Sequence, residues 1–230
     1  MAIRPVFIPL KEVVGVQEKN IDFKWHSGFA VSQKQKSIKE MHEAAANYGY
    51  HSVLEVSSKS ESNLGTSLSA FNLKFITKKK GKEFSVESAF QGSKVFKSGG
   101  PYIDLFYKEP KDAKRDPRLK TSGNLSHFIF FGVEFPSEPL TFFYDWLYIN
   151  ALNNSDLPVS ELLIYDGFTD IEFNPNKSIN CQAHAVALYV SLVRCNVLCD
   201  ALESPEEFLR IAGTHYSGQK RQLKVQDKMI

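Results

Sequence analysis

F-S-V-E-S-A-F-Q-G-S-K-V-F, which runs from Phe84 to Phe96, is the stretch that says most about the fold and the site of this chain. If the stretch is helical, Glu87, Gln91 and Lys94 fall at positions i, i+4 and i+7, and a carboxylate, an amide and an amine follow one another along one face. The neighbouring positions are mostly apolar. Such a polar stripe favours a helix that faces a pocket. The alternative is a buried ion pair between Glu87 and Lys94 on an ordinary core helix.

The composition is that of an ordinary globular protein. The chain has 230 residues, of which 43% are hydrophobic and 23% are charged, and this is enough for one substantial core. The formal net charge of +2 permits an anionic ligand without requiring one. The motifs G-x-x-x-x-G-K-[ST], G-x-G-x-x-G and G-x-S-x-G are absent from the sequence, which therefore gives no support to nucleoside triphosphate hydrolysis or serine hydrolase chemistry.

The cysteines and the apolar segments indicate the cellular setting. Cys181, Cys195 and Cys199 are few and odd in number, so a disulfide framework is not expected. No histidine keeps zinc spacing with them, and we predict neither a metal site nor a cofactor. The first residues lack the apolar segment of a secretion signal, and no later run approaches the ~20 apolar residues of a membrane span. We expect a cytoplasmic protein that makes no membrane contact.

Local patterns predict the elements of the N-terminal part. Residues 1–31 contain short apolar segments interrupted by prolines, which is typical of strands at the edge of a sheet. Ser37 and Glu40 form a capping box, from which an amphipathic helix should continue to Gly49. His42 is expected on the surface of that helix, because the second histidine of a metalloprotease motif is missing.

A strand at 51–56 and a hairpin are predicted on either side of a serine-rich loop. The hairpin joins residues 71–76 to residues 83–86. Lysines at its tip would be solubilising or would contact a nucleic acid backbone; they are Lys78, Lys79, Lys80 and Lys82. The central helix is expected to continue until Gly99.

Two further helices are predicted near the C-terminus. Ser178 should cap a long apolar helix that ends at Arg194, with Asn180 in its first turn, where free backbone N–H groups favour an anion. Ser204-Pro205-Glu206-Glu207 is a capping box with proline at the first helical position, and it predicts a last helix that stops near Gly213.

The chain carries, in order, Leu68-Ser69-Ala70-Phe71, E-S-A-F-Q-G-S-K at residues 87–94 and an acidic segment that starts at Asp166 and continues to Arg194. Together these three stretches resemble motifs of the NADAR family, the YbiA-like proteins that act on N-glycosidic bonds of ADP-ribose or related ribosyl compounds. E-S-A-F-Q-G-S-K in the central stretch is similar to the E-H-x-F-Q-x-x-K helix of that family. Upstream, Leu68-Ser69-Ala70-Phe71 looks like its F-S-N-F strand entry. Downstream, the segment from Asp166 to Arg194 is similar to its acidic loop, asparagine and closing helix. Ser88 stands where the family often has histidine, and Ala70 where it often has asparagine.

The resemblance implies a set of site residues. Cleavage of a ribosyl C–N bond passes through an oxocarbenium-like state, which two carboxylates can serve as they do in glycoside hydrolysis. Glu87 and Asp170 would be these catalytic residues, and Asp170 is taken ahead of Asp166 and Glu172 in the same loop. The substrate-binding residues would be Ser57, Ser58, Lys59, Ser69, Phe71, Gln91, Lys94 and Asn180.

The branch of the family that the sequence resembles most consists of antitoxins found beside guanosine-modifying DarT toxins. This resemblance implies an ADP-ribosyl glycohydrolase that removes ADP-ribose from guanosine bases in DNA. ADP-ribosylated DNA would be the substrate, ADP-ribose the product, and a cognate DarT-type toxin a partner. The alternatives are an N-glycosidase of free ribosylated metabolites and a module that binds ADP-ribose or nucleic acid without turnover.

The patterns together predict an α+β fold: one helix-rich domain of NADAR type with a small antiparallel sheet. Residues 1–50 would be an N-terminal extension packed on the core, and residues 51–200 the NADAR-like catalytic core. Residues 201–230 would form a C-terminal helix and a basic tail.

Overall fold

The computed structural model describes residues 1–76 and 81–218. Within them the chain is α+β and rich in helix, which confirms the predicted fold class. The α-helices and strands, in chain order, are β1 (Ala2–Pro9), β2 (Val16–Phe23), α1 (Val31–Ala46), β3 (Val53–Glu55), α2 (Asn63–Ser67), β4 (Lys74–Ile76), β5 (Glu83–Ser85), α3 (Val86–Gly92), β6 (Lys94–Phe96), α4 (Pro110–Lys114), α5 (Arg118–Thr121), β7 (Leu125–Phe130), β8 (Val133–Pro136), α6 (Phe142–Asn153), β9 (Gly167–Thr169), α7 (Gln182–Arg194), α8 (Leu198–Ala201) and α9 (Pro205–Ser217). Two short 3₁₀ helices lie at Ile103–Tyr107 and Val159–Ile164.

The described residues form two compact units. Unit 1 consists of residues 1–69 and 156–218, and unit 2 consists of residues 70–76 and 81–155. No helix in these parts of the chain is long and apolar enough to cross a lipid bilayer. The division into an extension, a catalytic core and a C-terminal region remains a proposal from the sequence.

Unit 1 contains a four-stranded sheet in the order β2-β1-β9-β3. β1 is antiparallel to β2 and β9, whereas β3 is parallel to β9. The prediction of edge strands is therefore right for β2 and wrong for β1, which has a neighbour on each side. The two prolines of β1 do not prevent this, because β1 meets β9 at Phe7, and Pro5 and Pro9 lie away from that pairing.

Helix α1 covers this sheet and begins earlier than predicted. It starts at Val31, and the predicted N-cap Ser37 lies inside it, fully buried. The Ser37 hydroxyl donates to the Gln33 carbonyl and accepts from the backbone N–H of His26, at 3.0 and 2.9 Å. The capping-box prediction was wrong: Ser37 does not cap the helix but lies within it, and its hydroxyl binds the backbone of the preceding loop at His26. The core beneath α1 is formed by Val6, Ile21, Phe23, Ile38, Met41, Ala45 and Ile171.

The last two long helices of unit 1 also differ from the prediction at one end each. α7 begins at Gln182, so Asn180 precedes the helix instead of lying in its first turn. Its end at Arg194 is confirmed, and this side chain donates to the carbonyls of Leu163 and Tyr165. The Ser204 cap of α9 is also confirmed, but that helix continues past Gly213 to Ser217.

Unit 2 combines a two-stranded and a three-stranded sheet with α3 and α6. β4 and β5 form the predicted hairpin, and β6-β7-β8 form the second sheet. Of the predicted tip lysines, Lys82 is described, and the other three lie outside the described residues. Aromatic packing joins α6 to the larger sheet, where the Phe143 ring stacks on Phe128 with the ring centres 4.5 Å apart.

Helix α3 is shorter than the sequence suggests. It ends at Gly92, and Lys94 opens strand β6, so Lys94 does not lie on the same helix as Glu87 and Gln91. Two local features account for the early end. The Ser93 hydroxyl donates to the Ala89 carbonyl at 2.8 Å, and the Phe106 ring packs so closely on Gly92 that a side chain there would overlap it.

Candidate functional site

The first group of candidate residues lies in unit 2 around α3, and we call it the α3 cluster: Glu87, Gln91, Lys94, Lys114 and Phe71. α3 starts at Val86 because the Ser85 hydroxyl accepts a hydrogen bond from the backbone N–H of Ser88. This cap places Glu87 in the first turn, where free backbone N–H groups favour a carboxylate. The backbone N–H of Glu87 donates to the Ala70 carbonyl at 2.9 Å and so anchors the turn.

The Glu87 carboxylate is buried and is held through one of its two oxygens. Its Oε1 accepts a hydrogen bond from Gln91 Nε2 at 2.8 Å and lies 3.4 Å from Lys114 Nζ. Within residues 1–76 and 81–218, Oε2 accepts no hydrogen bond. The carboxylate is thus ion-paired and fixed in orientation, with one oxygen left for a substrate or a water molecule.

Lys94 and Lys114 add positive charge around Glu87. Burial lowers the pKa of Lys94 from 10.5 to about 8; the Glu87 carboxylate opposes this change, and the Lys114 ammonium adds to it. Lys94 Nζ lies 4.7 Å from the centre of the Phe90 ring, and Lys114 Nζ lies 5.5 Å from the centre of the Phe71 ring. Two ammonium groups near one carboxylate suit an anionic ligand such as a phosphate.

The second group lies in unit 1, where β3 and β9 end side by side, and we call it the carboxyl cluster: Glu55, Ser57, Thr169, Asp170 and His42. Glu55 is almost completely buried at the end of β3, directly opposite Thr169 on β9. Its Oε1 accepts from the Ser57 hydroxyl at 2.6 Å and from the Ile171 N–H at 2.9 Å, and its Oε2 accepts from the Thr169 hydroxyl at 2.7 Å. The pKa of Glu55 is raised overall, because burial raises it more than these three hydrogen bonds lower it.

Asp170 follows Thr169 and is also buried. Its Oδ1 accepts from the backbone N–H groups of Glu172 and Phe173, at 2.9 and 3.2 Å, whereas Oδ2 lies 3.9 Å from Cys181 Sγ. Burial, followed by the charge of Glu55, raises the pKa of Asp170 from 3.8 to about 8. A carboxyl group with a raised pKa suits the role of a proton donor.

His42 belongs to the carboxyl cluster and is not the surface residue that the sequence suggested. Its Nε2 lies 2.9 Å from the Thr169 hydroxyl, and burial lowers the pKa of His42 from 6.5 to about 4. Since the Thr169 hydroxyl gives its one hydrogen to Glu55, the neutral ring of His42 donates from Nε2. A line of hydrogen bonds thus runs from His42 through Thr169 to Glu55.

The other two acids of the loop have structural surroundings. Asp166 accepts hydrogen bonds from the backbone N–H groups of His51 and Ser52, each at 3.0 Å, in an exposed turn. Glu172 is exposed and pairs with Lys34 at 3.2 Å. Asp170 is therefore the one acid of the three that is buried, which favours it over Asp166 and Glu172 as the catalytic candidate.

The predicted binding residues of the serine-rich loop have different environments. Ser57 is buried in the carboxyl cluster and also accepts the Lys59 N–H at 3.1 Å. Ser58 is exposed, and the Lys59 ammonium donates to its hydroxyl at 3.1 Å. Ser69 is buried, and its backbone N–H donates to the Thr66 carbonyl.

Asn180 carries a buried acceptor without a donor. Its Oδ1 is inaccessible to solvent, and in the described parts of the chain no group donates a hydrogen bond to it. A buried amide oxygen of this kind normally has a partner, so a ligand hydroxyl or amino group would satisfy it.

Sequence reasoning found some members of both clusters and missed others. Glu87, Gln91, Lys94 and Phe71 lie together in the α3 cluster of unit 2, and Ser57 and Asp170 lie together in the carboxyl cluster of unit 1. Lys114, the ion-pair partner of Glu87, is not among the site residues predicted from the sequence. Glu55 had not been considered at all, although an acid within the apolar strand V-L-E-V is a signal that could have found it. Within the described ranges no three His, Cys, Asp or Glu side chains are placed to share a metal ion.

Comparison with known proteins identifies one matching family. Among curated proteins, none matches this chain. The sequence model of one protein family, described as "DarT1-associated NADAR antitoxin", matches residues 2–222, which is almost the entire chain. The match covers both clusters and agrees with the resemblance of the three motifs. The chain therefore belongs to the family of DarT1-associated NADAR antitoxins.

Proposed function

We propose that this protein is an ADP-ribosyl glycohydrolase that removes ADP-ribose from guanosine bases in DNA and so reverses the modification made by a DarT1-type toxin. The observation that carries the proposal is the state of Glu87. It is a buried carboxylate oriented by Gln91 and Lys114 whose second oxygen has no hydrogen bond from the described residues. Membership in an antitoxin family associated with DarT1 supports the choice of substrate.

Glu87 is assigned the role of general base for the water molecule that attacks the anomeric carbon. As the bond between that carbon and the guanine nitrogen breaks, positive charge develops on the sugar, and a neighbouring carboxylate stabilises it. Glu87 accepts a proton from the attacking water, whose oxygen forms the new bond to the anomeric carbon. The Gln91 hydrogen bond and the Lys114 ion pair hold the Glu87 carboxylate in a fixed orientation for this task.

Asp170 is assigned the complementary role. A departing base needs a proton, and Asp170 carries one at neutral pH because burial raises its pKa to about 8. When two carboxyl groups of a site have different pKa values, one can act as the base and the other as the acid at the same pH. Lys94 and Lys114 are assigned to the diphosphate, and Asn180 to a sugar hydroxyl or the base.

The experiment compares the wild type with Glu87→Gln on an oligonucleotide that carries ADP-ribosylated guanosine. Gln keeps the shape of the side chain and cannot accept the proton, so release of ADP-ribose should fall by about a hundredfold or more. Glu134→Gln on strand β8 is the matched control, because Glu134 is exposed on the same unit, and it should keep wild-type activity. Melting temperatures measured in parallel should show that both variants fold.

Two results would contradict the proposal. Release of sugar from free ribosylated nucleosides, with none from the oligonucleotide, would indicate an N-glycosidase of metabolites. Tight binding of the oligonucleotide, with the bond intact in the wild type, would indicate a binding module without turnover.

A further inference from the structure

We propose that Glu55 is a positioning residue for the reaction: as an ionised carboxylate beside Asp170, it keeps the proton on Asp170, which then acts as the acid. The inference rests on the proposed function, since it concerns how one of the two assigned residues is prepared. Glu55 lies next to Asp170 because its two oxygens bind the residues on either side of it, Thr169 and Ile171.

The hydrogen bonds around Glu55 favour its charged form. Its carboxyl group accepts from two hydroxyls and one backbone N–H, and it donates to none of them. The Ser57 hydroxyl donates its hydrogen to Glu55, and its oxygen accepts the Lys59 N–H. Three donors directed at one carboxylate stabilise the ionised state over the acid.

The surroundings of Asp170 favour its neutral form. Its Oδ1 is occupied by two backbone N–H groups, but among the described residues its Oδ2 has only the thiol of Cys181, at a distance too long for a strong hydrogen bond. Oδ2 is therefore the oxygen that holds the proton. The other titratable or charged groups that act on this pair are Glu172 of the same loop, Arg4 of β1 and, through Thr169, His42 of α1.

Two negative charges cannot be buried side by side without a large cost, so the pair holds one proton over the neutral range. Burial and the charge of Glu55 both act in this direction on Asp170, and its pKa rises to about 8. Loss of the charge on Glu55 should therefore lower the pH at which Asp170 gives up its proton. An acid is active only while it is protonated, so activity would then disappear at a lower pH.

Glu55→Gln tests this on the full-length protein. Gln fits the same hydrogen bonds: its oxygen can accept from Ser57 and Ile171, and its amide can donate to Thr169, which then donates to His42. In the pH profile of kcat/KM for release of ADP-ribose, the fall in activity on the high-pH side (the high-pH limb) should move to lower pH by about one unit or more. Asp166→Asn is the control, because Asp166 binds backbone N–H groups in an exposed turn, and it should leave the limb in place. A uniform loss of activity with an unmoved limb would overturn the proposal and leave Glu55 a purely structural role.

A second measurement uses the wild-type protein and therefore requires neither catalytic turnover nor a stable variant. In the wild type labelled with carbon-13 at the side-chain carboxyls, the signals of Glu55 and Asp170 should respond to the same two titration steps. Independent single titrations of the two signals would overturn the proposal. If the wild type releases no ADP-ribose, the proposed function fails, and this titration still decides whether Glu55 and Asp170 share a proton.

Discussion

Lys94 in the α3 cluster carries an ammonium group whose burial lowers stability at neutral pH. Its ammonium is partly buried, and burial lowers its pKa from the ordinary 10.5 to about 8. The unfolded chain therefore binds more protons than the folded protein between these two values. The free energy of unfolding contributed by this residue rises as the pH increases from about 8 to 10.5, and at neutral pH the buried charge is destabilising.

We predict that Lys94→Met raises the melting temperature at neutral pH while it lowers the release of ADP-ribose. Met fills similar space without a charge, so the cost of burying the ammonium disappears, and under the proposed function a contact to the diphosphate of the substrate is lost with it. Differential scanning calorimetry and the oligonucleotide assay measure the two effects. Lys97→Met is the matched control, because Lys97 is exposed three residues further along, and it should change neither quantity. A lower melting temperature for Lys94→Met would contradict the prediction.

Single residues were predictable where the chemistry of the residue type was sufficient. Glu87 was found because one acid stood among apolar neighbours, and Asp170 because it lay in an acidic loop next to a family motif. Lys114 and Glu55 were not recognised as their partners, because each partnership depends on another element, α4 for Lys114 and β9 for Glu55. Sequence spacing along one helix pointed instead to Lys94, which the short α3 leaves on a strand.

At the scale of elements, the ends of helices were predictable when the cap was local. Ser204 caps α9 through the backbone N–H of Glu207, three residues away, and no distant group in the described part of the chain binds its hydroxyl. Ser37 has the same local pattern, but its hydroxyl binds His26 from the preceding loop, and α1 begins before it. The strand pairing of β9 between β1 and β3 had no local signal, because it joins segments far apart in the sequence.

Two glycines in different elements should respond to alanine in opposite directions. A side chain at Gly65 in α2 would overlap the Glu55 carbonyl and the Ser60 hydroxyl, so Gly65→Ala should cost about 1–3 kcal/mol of unfolding free energy. Gly213 in α9 has open space around it, and Gly213→Ala should stabilise by about 0.5–1 kcal/mol because alanine is the better helix former. Urea unfolding measures both. Equal effects of the two changes would show that α2 does not pack against β3 as described.

At the scale of the whole molecule, the family assignment leads to a prediction in cells. If protection comes from repair, Glu87→Gln produced at wild-type abundance should fail to protect bacteria against a DarT1-type toxin, and modified guanosine should accumulate in their DNA. Glu134→Gln should protect as the wild type does. Protection by Glu87→Gln with undiminished modification of the DNA would mean that cells survive by another route. Survival counts and the DNA content of modified guanosine, measured together, separate these outcomes.

The order of strands in unit 1 has a consequence for how the protein folds during its synthesis. β9 lies between β1 and β3, yet more than half of the chain is translated before it: β3 ends at Glu55 and β9 begins at Gly167. While the ribosome is still making the intervening residues, the inner edges of β1 and β3 have no partner, and such edges invite pairing with other chains. The four-stranded sheet of unit 1 therefore cannot be completed until the three residues Gly167–Thr169 have been synthesised.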